Sequence, residues 1–265
     1  MSASPISITG VNKIFTTVDH DVIALQNINL EIPSGQFVCL LGPSGCGKST
    51  LLNAVAGFAL PSSGRIVTGD TTVTGPGPDR GMVFQEYALF PWMTVEENIA
   101  FGLEIKGMGK ADIVVRVRAL LETLGLKDFG NRFPKDLSGG MRQRVAIARV
   151  LALDSPIMLM DEPFGALDSL TRRTLQDELL RIWAELKKTI LFVTHSIEEA
   201  IYLADRIVVM TYRPGSVKRD ILVDLPRLRD PSSAEFNALK RELGQLVMEE
   251  QQRHQHDEIR MAAVD

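Results

Sequence analysis

Apolar positions along this chain change their spacing several times, and each change marks an element. Between residues 6 and 32 they alternate with polar ones. Ile28, Leu30 and Ile32 are set against Asn29 and Glu31, which predicts half-buried antiparallel strands. Other runs are short and apolar almost throughout: Phe37-Val38-Cys39-Leu40-Leu41, Ile157-Met158-Leu159-Met160 and Thr189-Ile190-Leu191-Phe192-Val193-Thr194. Strands buried on both faces of a parallel sheet read this way. Gly81-Met82-Val83-Phe84 is a further short strand, ending at Gln85. From about residue 86 to about residue 150 the spacing is mainly helical. Thr94 and Glu97 form a capping box there, and Val114, Val117, Leu120, Leu121 and Leu124 share one face of a helix that stops at Gly125.

Later elements follow the same logic. Asp168 caps a helix through Thr174, Leu179 and Trp183, and Ser196 with Glu199 is the next capping box. Residues 207–212 and 221–223 predict a hairpin around Arg213-Pro214-Gly215-Ser216. Ser232 and Glu235 are expected to cap a last helix with Phe236, Leu239, Leu243 and Leu246 on one side, and the polar tail from Gln251 is expected to fray.

At 265 residues and 45% hydrophobic, the chain can bury a full core as one large domain or two coupled subdomains. The net charge is −4 and no basic run occurs, so nucleic acid is not an expected partner. The two cysteines, Cys39 and Cys46, have neither disulfide-framework nor zinc spacing, which fits a reducing compartment. Met1-Ser2-Ala3-Ser4-Pro5 has no basic n-region or apolar h-region, so no signal peptide is expected. No stretch approaches the roughly 18–20 apolar residues of a membrane span, and any membrane role is expected to be peripheral.

The chemistry begins where an apolar strand meets Gly42-Pro43-Ser44-Gly45-Cys46-Gly47-Lys48-Ser49-Thr50 and then a helix stopped by Gly57. Strand, glycine-rich turn and helix are the setting in which such a loop cradles a nucleotide triphosphate on backbone N–H groups. Lys48 would reach the β- and γ-phosphates and the Ser49 hydroxyl would ligate Mg²⁺. Phe15 is either a core or edge aromatic or a ring that stacks on adenine. Gln85, at the end of a strand, is placed to face a ligand. Ser138-Gly139-Gly140 opens a helix as a second anion site, which is most simply used for the γ-phosphate held by another copy in a head-to-tail dimer. Asp161 closes an apolar strand and would hold Mg²⁺, while Glu162 would polarise the attacking water and His195 would contact the γ-phosphate or that water. The loop Tyr87-Ala88-Leu89-Phe90-Pro91-Trp92-Met93 is expected to pack in the helical region and to offer a docking groove.

These pieces, in this order, resemble an ABC-transporter ATP-binding subunit over roughly residues 6–230. Leu137-Ser138-Gly139-Gly140 before Asp161-Glu162 is the most specific part. Within the family, Gly75-Pro76-Gly77-Pro78-Asp79-Arg80-Gly81, Phe90-Pro91-Trp92, residues 161–168 and Asp230-Pro231-Ser232-Ser233-Ala234-Glu235-Phe236 resemble importer ATPases for nitrate, sulfonates and taurine. Met141 stands where glutamine is commoner, and Ser196 where aspartate is common.

The resemblance implies an α/β fold: a P-loop NTPase (RecA-like) core with an N-terminal antiparallel β subdomain and an inserted α-helical subdomain at about 86–150. Residues 231–265 would form a C-terminal helical extension and polar tail. It further implies ATP and Mg²⁺, a second ATP-binding subunit, two membrane permease subunits that receive the Gln85 loop and aromatic groove, and indirectly a solute-binding protein. The chain would lie on the cytoplasmic face of the inner membrane. An exporter ATPase shares every one of these residues. An ABC ATPase acting on nucleic acid or ribosomes usually has tandem domains, long coiled coils or zinc cysteines, which this sequence lacks.

Overall fold

A computed structural model describes residues 3–17 and 21–262. The predicted alternation is realised in β1 (Ile6–Thr16) and β2 (Asp21–Ile32), an antiparallel pair. Leu25, Ile28, Leu30 and Ile32 of β2 are buried and the residues between them exposed. The spacing slips once, at Asn27, which has a φ of 48° where the register with β1 shifts. That extra residue returns the apolar side chains to the core face. The chain then enters β3 (Phe37–Leu41), buried at all five positions, and α1 (Lys48–Ala56). β4 (Ser63–Thr68) pairs with β1, and the two-residue β5 (Thr71–Thr72) pairs with β4.

The chain folds as two units, one of them Pro78–Lys188. It holds β6 (Arg80–Val83), α2 (Val95–Ile105), α3 (Lys110–Thr123), α4 (Gly139–Ala152), β7 (Ile157–Asp161) and α5 (Ser169–Leu186), with β6 and β7 parallel. The capping box of α2 forms as expected: Thr94 Oγ1 accepts from Glu97 N, and Glu97 Oε2 accepts from Thr94 N. On α3 the buried stripe is Ile113, Val117 and Leu121, continued by Leu124, while Val114 is 55% exposed. The stripe begins one residue earlier than predicted, because i, i+4 spacing from Ile113 meets the neighbouring helices.

The other unit joins Ser4–Gly77 to the residues from Thr189 onward. Here β8 (Thr189–Thr194) and, after α6 (Ile197–Leu203), β9 (Arg206–Met210) flank β3, both parallel to it. β10 (Val217–Leu222) completes the expected hairpin with β9. The core is aromatic at its centre, where the Phe37 and Phe192 rings stand 5.9 Å apart. Burying each such side chain contributes about 1.5–3 kcal/mol. The last helix, α7 (Ala234–Ala262), differs from expectation at both ends. Ser233, not Ser232, caps it by accepting from Phe236 N at 3.2 Å. Ser232 is instead held in a turn by Asp230, whose Oδ1 accepts from its backbone N and from its hydroxyl. The helix also continues through Gln251 to Ala262, since Gln, Glu, Arg and Met are good helix formers.

Candidate active site

In the unit containing β3, strand register assembles one edge of the site. Leu41 pairs with Thr194 of β8 and with Val209 of β9. Gly42, His195 and Met210 therefore lie side by side at the carboxyl edge of the sheet, the edge where parallel sheets present ligands. His195 is exposed there. Residues 42–47 curl into the N-terminus of α1. Gly47, its N-cap, has a φ of 93°, and a Cβ on it would lie 2.8 Å from Leu25 Cδ2 and 2.9 Å from Ala24 O. Only glycine fits. Lys48 is buried, and its ammonium donates to the carbonyls of Gly42 and Pro43, both at 2.9 Å. Cation, helix N-terminus and helix dipole thus serve one short loop.

The remaining loop residues divide by exposure. Pro43 and Cys46 are buried, Ser44, Gly45 and Ser49 exposed, and Thr50 half-buried. Burial pushes the Cys46 thiol up, so it packs rather than reacts. Phe15, near the end of β1, is 43% exposed, with Lys13 Nζ 5.0 Å from its ring centroid.

In the unit Pro78–Lys188, Val83 of β6 pairs with Met160 of β7. Gln85 and Glu162 each stand two residues beyond that pair, again past the carboxyl ends of parallel strands. Asp161 is the last, half-buried residue of β7. Glu162 has a φ of 42°. A left-handed non-glycine residue costs on the order of 1–3 kcal/mol, and the turn carries its side chain off the line of the strand. The turn is closed by Gly165 N donating to Glu162 O at 3.1 Å. Asp168 caps α5 by accepting from Thr171 N at 3.0 Å, and that N–H holds its carboxyl below the usual range.

Ser138 caps α4, its hydroxyl accepting from Met141 N at 3.3 Å, and is exposed. The two glycines after it have separate reasons. A Cβ on Gly140 would lie 2.6 Å from Thr171 Cγ2, so its bareness lets α4 close on α5. A Cβ on the half-buried Gly139 would lie 3.3 Å from the Tyr87 hydroxyl.

Two residues that sequence reasoning missed hold the loop after Gln85. Asn98 is fully buried; its Oδ1 accepts from Phe90 N at 2.9 Å, and its Nδ2 donates to the carbonyls of Phe90, Met93 and Thr94. A polar residue on the buried stripe of α2 was the available signal. Arg149 of α4 donates to the carbonyls of Ala88 at 2.7 Å and Tyr87 at 3.2 Å, both of them left-handed residues. Arg142 lies 5.5 Å from the Tyr87 ring centroid. The loop is therefore tied to the helix that Ser138 caps. Phe90 packs on Phe101 at 4.6 Å, while Trp92 is 70% exposed.

The residues present fit a nucleotide triphosphate, since the Gly47 turn and Lys48 make a cationic cradle with no room for a side chain. Among the described residues no group of three or more His, Cys, Asp or Glu side chains could cage a metal. A cation carried by phosphates needs only a few protein oxygens, which suits Mg²⁺.

The sequence profile described as ABC transporter matches residues 25–165. The taurine import ATP-binding protein TauB of Roseobacter denitrificans is 52% identical over 76% of this chain and 75% of its own. The nitrate import ATP-binding protein NrtD of a Synechocystis strain is 46% identical over 89% of each. Among solved structures, the dimeric post-hydrolysis state of the ATP-binding cassette MJ0796, bound to ADP and Pi, superposes with a TM-score of 0.74. It is 34% identical and covers 83% of this chain and all of that one. With a glycine-rich, lysine-bearing loop at the carboxyl edge of a parallel sheet and relatives of this similarity along most of its length, the chain belongs to the ABC transporter family as an ATP-hydrolysing, ATP-binding subunit.

Proposed function

We propose that this chain powers an ABC importer for a small anionic solute of the nitrate, sulfonate or taurine type. The observation that carries the catalytic part is the left-handed Glu162 directly after the carboxyl end of β7. Residues 42–50 bind ATP, Lys48 counters the β- and γ-phosphates, and Phe15 stacks on the base. Ser49, Gln85 and Asp161 would hold Mg²⁺, which when bound would neutralise phosphate charge. Glu162 draws on a proton of the attacking water; the water oxygen bonds to the γ-phosphorus as the bond to the bridging oxygen breaks, leaving ADP and phosphate. His195 steadies the γ-phosphate. Ser138, Gly139 and Gly140 contact the triphosphate bound by a second ATP-binding subunit, a copy or close relative, in a head-to-tail dimer.

Among the described residues no helix is long and apolar enough to cross a membrane. Permease subunits supply the passage. The chain sits beneath them at the cytoplasmic face. The exposed Trp92 and the braced Tyr87–Phe90 segment support docking of a permease element there, and a solute-binding protein delivers the anion from the other side. Residues 6–230 are the ATP-binding domain, with a helical subdomain at about 86–150, and 231–265 are an extension. Glu162→Gln tests this reading. ATP binding should persist while turnover falls by at least about 100-fold; turnover at the wild-type rate would remove Glu162 from its role.

A further inference from the structure

The C-terminal helix has no part in the chemistry above, yet it holds a fully buried carboxylate. Glu250 of α7 is wholly inaccessible, and its Oε2 accepts from Tyr212 N at 2.9 Å. Lys218 Nζ donates to Glu250 Oε1 at 2.7 Å, to Glu249 at 2.6 Å and to the Leu246 carbonyl at 3.0 Å, and Arg253 lies 3.1 Å from Glu250. His254 meets the Tyr212 ring edge-on, with centroids 4.3 Å apart. One turn of α7 thus holds Tyr212 by its backbone and by its ring.

Tyr212 is the second residue of the strap 211–216 that joins β9 to β10, and the strap's far side rests on the phosphate loop. A methyl group on Gly45 would touch Tyr212 Cε2 and Arg213 Nη2, each at 3.9 Å. A Cβ on Gly215 would come within 2.3 Å of the Cys46 carbonyl oxygen. The strap is internally closed, with Thr211 Oγ1 donating to Pro214 O at 2.7 Å and accepting from Ser216 N at 2.9 Å. It is also stitched to β2, since Gly215 N donates to Ala24 O and Gln26 N to Gly215 O. Such a piece cannot shift without pressing on the Cys46 carbonyl, and it lies beside Gly45; a backbone approach as close as that of Gly215 to Cys46 transmits displacement.

We infer that Glu250 is a positioning residue of the ATP site: through Tyr212 it fixes the strap that walls the phosphate loop at Gly45 and Cys46, so the C-terminal helix sets nucleotide affinity. This inference rests on residues 42–50 binding ATP, which wild-type binding checks independently. Substitution affects affinity more than the chemical step, because Glu162 and His195 lie outside the contact.

The experiment measures ATP binding, KM for ATP, kcat and Tm in the full chain for wild type, Glu250→Ala, Glu250→Gln and Tyr212→Leu. Glu250→Ala and Tyr212→Leu should raise KM and the dissociation constant for ATP by roughly tenfold with kcat within about twofold. Glu250→Gln keeps an acceptor for Tyr212 N–H but loses the charge facing Lys218. It should lower Tm and leave KM near wild type, a split that a purely structural role would not produce. Should Glu250→Ala not fold, Tyr212→Leu, which leaves the ion pairs of α7 in place, decides alone. Unchanged KM in Tyr212→Leu, or a KM that tracks Tm through all variants, overturns the inference. Failure of wild-type protein to bind ATP would instead strike the assignment of the phosphate loop itself.

Discussion

At Glu162 the backbone is left-handed, with a φ of 42°, a conformation glycine would adopt at less cost. Glu162→Gly should therefore abolish turnover while leaving Tm unchanged or higher, a trade of activity against local strain. Thermal unfolding checks this, and a Tm lower by several degrees would show that the carboxylate holds the turn together. Glu250 gives the opposite case, a carboxylate whose charge supports the fold. Burial alone would push its carboxyl up, but Lys218 and the Tyr212 N–H outweigh burial and hold it below the usual glutamate range. Its stabilisation is thus fully present above the unfolded-state value of about 4.3 and is lost as the pH falls through the lower folded-state value. The Tm gap between wild type and Glu250→Gln should be wide at neutral pH and close on acidification below about pH 4. A gap independent of pH would mean that the ion pair with Lys218 does not stabilise the fold.

Between elements, the α4–α5 contact is the most sharply defined test of packing. Gly140→Ala places a methyl carbon 2.6 Å from Thr171 Cγ2 and should cost about 1–3 kcal/mol. In a Thr171→Ser background, which removes that carbon, most of the cost should vanish; an unrelieved cost would place the conflict elsewhere. This packing role was invisible in the sequence, where the two glycines after Ser138 suggested only close approach of a ligand. Elements set by local periodicity were legible: the alternating β2, the apolar β3, β7 and β8, and the capped starts of α2, α4 and α5. The carboxyl-end placement of Gln85, Asp161, Glu162 and His195 was legible too, because apolar runs ending in polar residues expose their own termini. Harder to read was anything depending on residues distant in sequence. Asn98 and Arg149 bind loop carbonyls that no motif marks. The cap of α7 moved to Ser233 because Asp230 holds Ser232. Tyr212 and Arg213 read as ordinary hairpin residues until the strap was seen against Gly45.

For the whole molecule, the exposed Ser138 at the start of α4 and the glycine-rich loop at the start of α1 are two helix N-termini on one chain. Under the proposed function each works on the triphosphate of a different subunit. ATP should then act as the adhesive between copies, its γ-phosphate held from both sides, and hydrolysis should release them. The most direct measurement is the mass in solution of Glu162→Gln by sedimentation, with and without ATP and Mg²⁺, alongside Glu162→Gln carrying Ser138→Arg. A monomer is expected without nucleotide, a dimer with ATP, and a monomer under both conditions once Ser138 is replaced. A Glu162→Gln chain that binds ATP and stays monomeric, or a Ser138→Arg single variant that splits ATP at the wild-type rate, would contradict it.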